Sequence, residues 1–170
     1  MTAGPNAARV RMLAEQVGRK LLAARWRVVT AESCTGGGVA AALTDVPGSS
    51  QWFERGYVTY SNLAKQQDLG VSAVTLEAQG AVSAAVVAEM AAGALRAAGA
   101  DLAVAVSGVA GPDGGTPDKP VGLVWFALAR RAGAGHSELQ HFPGDRAAVR
   151  LAAVQRALEL ISAAAGTADS

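Results

Sequence analysis

The run Leu102-Ala103-Val104-Ala105-Val106-Ser107 carries no charge and is far too short to cross a bilayer, so a folded core must bury it. It empties into residues 108–119, a loop dense in glycine, proline and aspartate. Long amphipathic patterns lie on either side of it along the chain. Residues 7–24 place Val10, Leu13, Ala14, Val17, Leu21 and Leu22 near helical spacing, and 77–98 and 145–165 read as two more helices. A buried strand among such helices predicts an α/β fold with three layers, α/β/α, in which helices cover both faces of a mixed sheet. Further strands are expected at 27–31, 55–61 and, as a hairpin, at 121–129 and 136–142, with short helices at 39–43 and 63–69.

Composition limits what this fold can do. The 170 residues are 51% hydrophobic and 17% charged, enough for one domain with a sizeable core over about 7–165 and frayed ends at 1–6 and 166–170. The net charge of +1 provides no broad basic surface, so neither nucleic acid nor an anionic membrane is an expected partner. The only cysteine, Cys34, excludes an intrachain disulfide and a cysteine-built zinc site, and cytoplasm is the expected compartment. His136 and His141 lack a neighbouring carboxylate cluster and read as strand residues, so no metal is expected. No cofactor is called for.

Chemistry concentrates in three segments. The first is the loop Ser33-Cys34-Thr35-Gly36-Gly37-Gly38, between a strand and an alanine-rich helix. A helix start offers N–H groups without intrahelical partners, so these hydroxyls and glycines suit an anion or an oxyanion; they equally suit a helix cap and close packing. Gly36, Gly38 and Ala41 also match a dinucleotide fingerprint, with Glu54 near the spacing of a ribose ligand. Cys34 is either a thiolate at a helix start or a small buried thiol.

The second is Tyr60-Ser61-Asn62-Leu63-Ala64-Lys65, where a strand gives way to a helix. A lysine shielded from water can lose its proton and serve as a base for a serine; a solvated lysine is the plain alternative, and Ser61, four residues before Lys65, is a rival nucleophile. The third is Ser107-Gly108-Val109-Ala110-Gly111-Pro112-Asp113-Gly114-Gly115-Thr116, whose small residues let backbone approach a ligand; a plain turn is the alternative. Arg146, at the start of the last helix, could fork onto a phosphate or pair with a carboxylate.

Taken in order, these segments resemble the C-terminal domain of the competence/damage-inducible CinA family. The resemblance runs through 31–37, Pro47-Gly48-Ser49-Ser50, Tyr60-Ser61-Asn62 with Lys65, Gly80-Ala81-Val82-Ser83, 108–112, Lys119-Pro120-Val121-Gly122 and Phe142-Pro143-Gly144-Asp145-Arg146. It implies hydrolysis of the carboxamide of nicotinamide mononucleotide, giving nicotinate mononucleotide and ammonia for pyridine nucleotide salvage. It also implies a small-molecule nucleotide partner, a homo-oligomer, and a catalytic set of Ser33, Lys65 and Tyr60.

On that basis Thr35, Gly36, Gly37, Gly38, Ser50, Asn62, Ser107, Gly108, Ala110, Gly111 and Arg146 are the expected oxyanion and substrate-binding residues. The chain departs from the usual family pattern at Ser107, where threonine is common, and at Ala84, where glutamate is common. A non-catalytic nucleotide-binding regulatory module and a Rossmann-type oxidoreductase remain the competing classes.

Overall fold

The computed structural model describes residues 6–165, so the ends expected to fray lie outside the described residues except for Asn6. The chain runs α1 (Ala7–Ala24), β1 (Val28–Glu32), α2 (Gly38–Thr44), β2 (Phe53–Val58), α3 (Asn62–Leu69), α4 (Ala73–Gln79), α5 (Ala84–Ala98), β3 (Leu102–Gly108), β4 (Leu123–Arg130), β5 (His136–His141) and α6 (Arg146–Ala165). The strands form one sheet in the order β2-β1-β3-β4-β5. β1 is parallel to both β2 and β3, while β4 and β5 add an antiparallel hairpin. This is the mixed sheet expected.

Side-chain alternation along β3 builds two unlike cores. Leu102, Val104 and Val106 join Val28, Phe126 and the buried faces of α1, α2 and α6 on one side. Ala103 and Ala105 join Val29, Ala31 and Ala127 against α5 on the other. Period-two geometry sends successive residues to opposite faces, so a Val/Ala alternation makes one face bulky and the other flat. The flat face lets α5 sit close, and Gly93 of α5 continues that closeness outward. A Cβ built on Gly93 would stand 1.8 Å from the Leu69 carbonyl oxygen at the end of α3.

The structure differs from the expected helix at 77–98. Gly80 turns the chain with φ 74° and ψ 164°, a conformation that essentially only glycine adopts, and α4 ends there. Ser83 then restarts the helix as an N-cap, accepting from the Val86 N–H at 3.3 Å and donating to the Gly80 carbonyl at 2.8 Å. The second strand also starts earlier than expected and stops at Val58, leaving Thr59 and Tyr60 in the connection to α3.

The order β2-β1-β3 makes the connections after β1 and β3 depart in opposite directions, which opens a crevice at the carboxyl ends of these two strands. Ser33 follows β1, and Ser107 lies near the end of β3. The close α3–α5 approach yields a stability test. Gly93→Ala should lower stability by about 1–3 kcal/mol, because the clash is with backbone that cannot rotate away. Urea unfolding followed by circular dichroism should show a lower midpoint with an unchanged slope; an unchanged midpoint would refute the packing.

Candidate active site

Ser33 leaves the sheet with its N–H donated to the Val106 carbonyl at 3.0 Å, which fixes the loop between β1 and β3. Lys65 reaches it from α3. Ser61 caps that helix by accepting from the Ala64 N–H, and Lys65 lies one turn on, 1% exposed. Its Nζ is 3.1 Å from Ser33 Oγ, 2.9 Å from the Thr59 carbonyl and 3.2 Å from the Tyr60 carbonyl. No carboxylate pairs with it among the described residues, and burial pushes its pKa below the ordinary lysine value. A neutral amine has two N–H groups and one lone pair. Two carbonyls can take the former, leaving the lone pair for the Ser33 hydroxyl.

Ser61, the rival nucleophile, is exposed and occupied as a cap, so Lys65 reaches Ser33 instead. Tyr60 is not placed between them. Its hydroxyl accepts from Arg146 Nη2 at 3.0 Å, while Arg146 Nη1 donates to the Gly111 carbonyl at 2.9 Å. Arg146 thus joins two loops and makes no ion pair with a carboxylate among the described residues. Ser107 donates to the Ala81 carbonyl at 2.9 Å, tying the break between α4 and α5 to the sheet. That bond needs only a hydroxyl, which serine supplies as well as threonine.

These groups surround a cavity of about 310 Å³. Ser33, Tyr60, Lys65 and Arg146 line it, as do Ser107, Gly108, Ala110 and Gly111 from the loop after β3. Cys34, Val109, Ala81, Val82, Asp113 and Gly114 complete it; the last four lie in segments that the sequence marked but were not among the expected site residues. The backbone N–H groups of Ala110 and Gly111 have no backbone acceptor among the described residues.

The remaining expected residues lie elsewhere. Gly36 donates its N–H to the Ser33 carbonyl at 3.0 Å and Gly38 donates to the Thr35 carbonyl at 2.9 Å, so both are consumed inside the loop. Thr35 donates to Glu32 Oε1 at 2.7 Å, and Gly37 packs toward Val58. Glu32, fully buried, also accepts from the Val39 and Ala40 N–H groups. The start of α2 does hold an anion, but the anion is the protein's own carboxylate. Its signal in the sequence was an acidic residue at the strand end just before the glycine run.

Gly38 faces a separate, mainly apolar groove between α1, α2 and α6. Ser50 is exposed in the 3-10 turn Ser49–Gln51 that precedes β2, at the amino ends of the parallel strands, whereas Ser33 follows β1 at their carboxyl ends. Asn62 is exposed on the first turn of α3. Glu54 pairs with Arg27 and Arg55, which removes it as a ribose ligand.

Cys34 is 5% exposed, and burial, helped by the Glu32 charge, pushes its thiol up to about 11. It is a buried thiol. His136 contacts Glu138, and His141 Nε2 lies 3.0 Å from the Val121 carbonyl; no group of metal-ligating side chains forms among the described residues.

Arg150, one helical turn after Arg146, escaped the sequence reading. It donates to the Cys34 and Thr35 carbonyls, each at 3.2 Å, and so holds the loop that carries Ser33. Arg150→Met keeps the stem and removes both bonds. Loop fluctuation should then lower kcat by about tenfold or more with KM within a few-fold, since positioning of the attacking group is lost rather than binding. Steady-state kinetics check this, and an equal rise in KM with unchanged kcat would refute it.

The model of the CinA C-terminal domain matches residues 10–165. The chain is 58% identical over 149 residues to the nicotinamide-nucleotide amidohydrolase PncC of Escherichia coli K12, covering 88% of this chain and 90% of that one. It is 57% identical over 151 residues to the protein of the same name from Enterobacter agglomerans, covering 89% and 92%. Among solved structures, the competence damage-inducible protein A (ComA) of Klebsiella pneumoniae superposes with a TM-score of 0.90 at 44% identity, covering 94% of this chain and 99% of that one. With this similarity across sequence and fold, the chain belongs to the CinA C-terminal domain family.

Proposed function

We propose that this protein is an amidohydrolase that converts nicotinamide mononucleotide to nicotinate mononucleotide and ammonia, acting in the cytoplasm as a homo-oligomer in pyridine nucleotide salvage. The substrate comes from the names of the relatives. The single observation that carries the chemistry is the 3.1 Å contact between Ser33 Oγ and the buried Lys65 Nζ.

Ser33 Oγ attacks the carboxamide carbon as neutral Lys65 takes the hydroxyl proton, forming the C–O bond and a tetrahedral oxyanion. Lys65 passes that proton to the amide nitrogen, the C–N bond breaks, and ammonia leaves an acyl ester on Ser33. Water then attacks the ester, Lys65 accepts its proton and returns it to Ser33 Oγ, and the carboxylate is released. The unpaired N–H groups of Ala110 and Gly111 are the candidates to receive the oxyanion, in place of the glycine run. Arg146 answers the phosphate, and through its bond to Tyr60 ligand binding and the carbonyls around Lys65 share one framework.

Ammonia release from the mononucleotide tests the reading. Ser33→Ala should lose at least about 10³-fold in kcat and Lys65→Met about 10²–10⁴-fold, while Cys34→Ala stays within a few-fold. Full activity in Ser33→Ala, or loss confined to Cys34→Ala, would sink the nucleophile assignment. Tight binding without ammonia in the unaltered protein would select the regulatory-module reading.

The pH profile follows from the direction of the Lys65 shift. Protonated Lys65 cannot accept a proton, so kcat/KM should rise with pH and level off above an apparent pKa lower than the usual lysine value of 10.5. A profile that falls through this range would contradict a lysine base.

A further inference from the structure

Two opposite charges line the 310 Å³ cavity without a counter-charge: the Arg146 guanidinium and the Asp113 carboxylate. Arg146 spends its hydrogen bonds on two uncharged oxygens, those of Tyr60 and Gly111. Asp113 makes no hydrogen bond or ion pair among the described residues, and the two do not pair with each other. Glu138, by contrast, pairs with Arg156 at 2.6 Å, while Asp68 and Asp118, exposed like Asp113, line no part of this cavity. A cavity lined by one cation and one anion that do not pair with each other is complementary to a ligand that carries both signs.

Building on the deamidase reading, we propose that Asp113 is a specificity-determining residue that recognises the positive charge of the N-ribosylated pyridinium ring, with Arg146 meeting the phosphate at the other end of the same ligand. Free nicotinamide has a neutral ring and lacks the phosphate. The site therefore selects the nucleotide by two charges of opposite sign rather than by the carboxamide, which both compounds share.

The ring keeps its charge from ground state through tetrahedral intermediate, so Asp113 stabilises both about equally and its effect falls on KM more than on kcat. Asp113 is exposed, so the effect is modest and screened by salt.

The decisive comparison uses oxidised and reduced nicotinamide mononucleotide, which share ribose and phosphate while only the oxidised ring is cationic. Calorimetry in the Ser33→Ala background measures both dissociation constants without consuming ligand. Asp113→Asn should weaken the oxidised form about two- to fivefold and leave the reduced form unchanged, and Asp113→Lys should widen that loss. Both losses should shrink as salt is raised.

An unchanged ratio, equal losses for both ligands, or no binding of either by the parent overturns the proposal. Ammonia release by the chain with Ser33 intact is a separate readout. Charge selectivity lost in Asp113→Asn without any ammonia from the intact chain would uphold the role of Asp113 and reject the deamidase reading.

Discussion

The burial of Lys65 is the constraint around which the rest of the site is arranged. An ammonium ion taken out of water costs several kcal/mol unless an anion accompanies it, and no carboxylate is bonded to Lys65 among the described residues. The surroundings instead offer two carbonyls and a hydroxyl, a set that satisfies a neutral amine completely. Placing those acceptors requires that the chain between β2 and α3 turn its Thr59 and Tyr60 carbonyls inward and that the loop after β1 bring Ser33 to meet them. The cap on α3 and the Ser33 N–H bond to β3 are the local devices that do so.

Anions in this region are sorted by depth. Glu32 is fully buried near Ser33, yet its oxygens are engaged by one hydroxyl and two N–H groups at the start of α2. A carboxylate so saturated holds α2 and the glycine turn in place and has little capacity left for Lys65. Were it turned toward the amine instead, an ion pair would favour the protonated form and oppose the downward pKa shift that burial gives Lys65. The glycine run is therefore best understood as the geometry that lets Glu32 reach those N–H groups. α6 completes the framework from outside, where Arg150 grips the Ser33 loop and Arg146 bridges the other two segments.

Much of this was legible in the sequence because it rests on local rules. The uncharged alternation at 102–107 identified the central strand, and helical periodicity located α1 and α6 to within a residue. The break inside the expected helix at 77–98 was carried by Gly80 and Ser83, a stop and a start whose meaning a long apolar pattern obscured. At the site, the three segments that do converge were visible from their composition. Less legible was which groups within them face inward. Glycines in a loop advertise free N–H groups, but only the folded structure reveals that Gly36 and Gly38 spend theirs internally, or that Ser50 sits at the opposite end of the parallel strands from Ser33. Arg150 gave no signal, and Asp113 lay in a marked loop valued only for its backbone, since a helix arginine and a loop aspartate are ordinarily solvated.

The Val/Ala alternation in β3 links these levels. Its alanine face admits α5 at close range, and Gly93 extends that approach to the end of α3, so the helix that bears Lys65 is braced against a second helix as well as the sheet. A bulkier strand would push α5 outward and take its support of α3 with it. Small side chains in the core and the burial of Lys65 beside Ser33 are thus linked through the packing of α3 on α5.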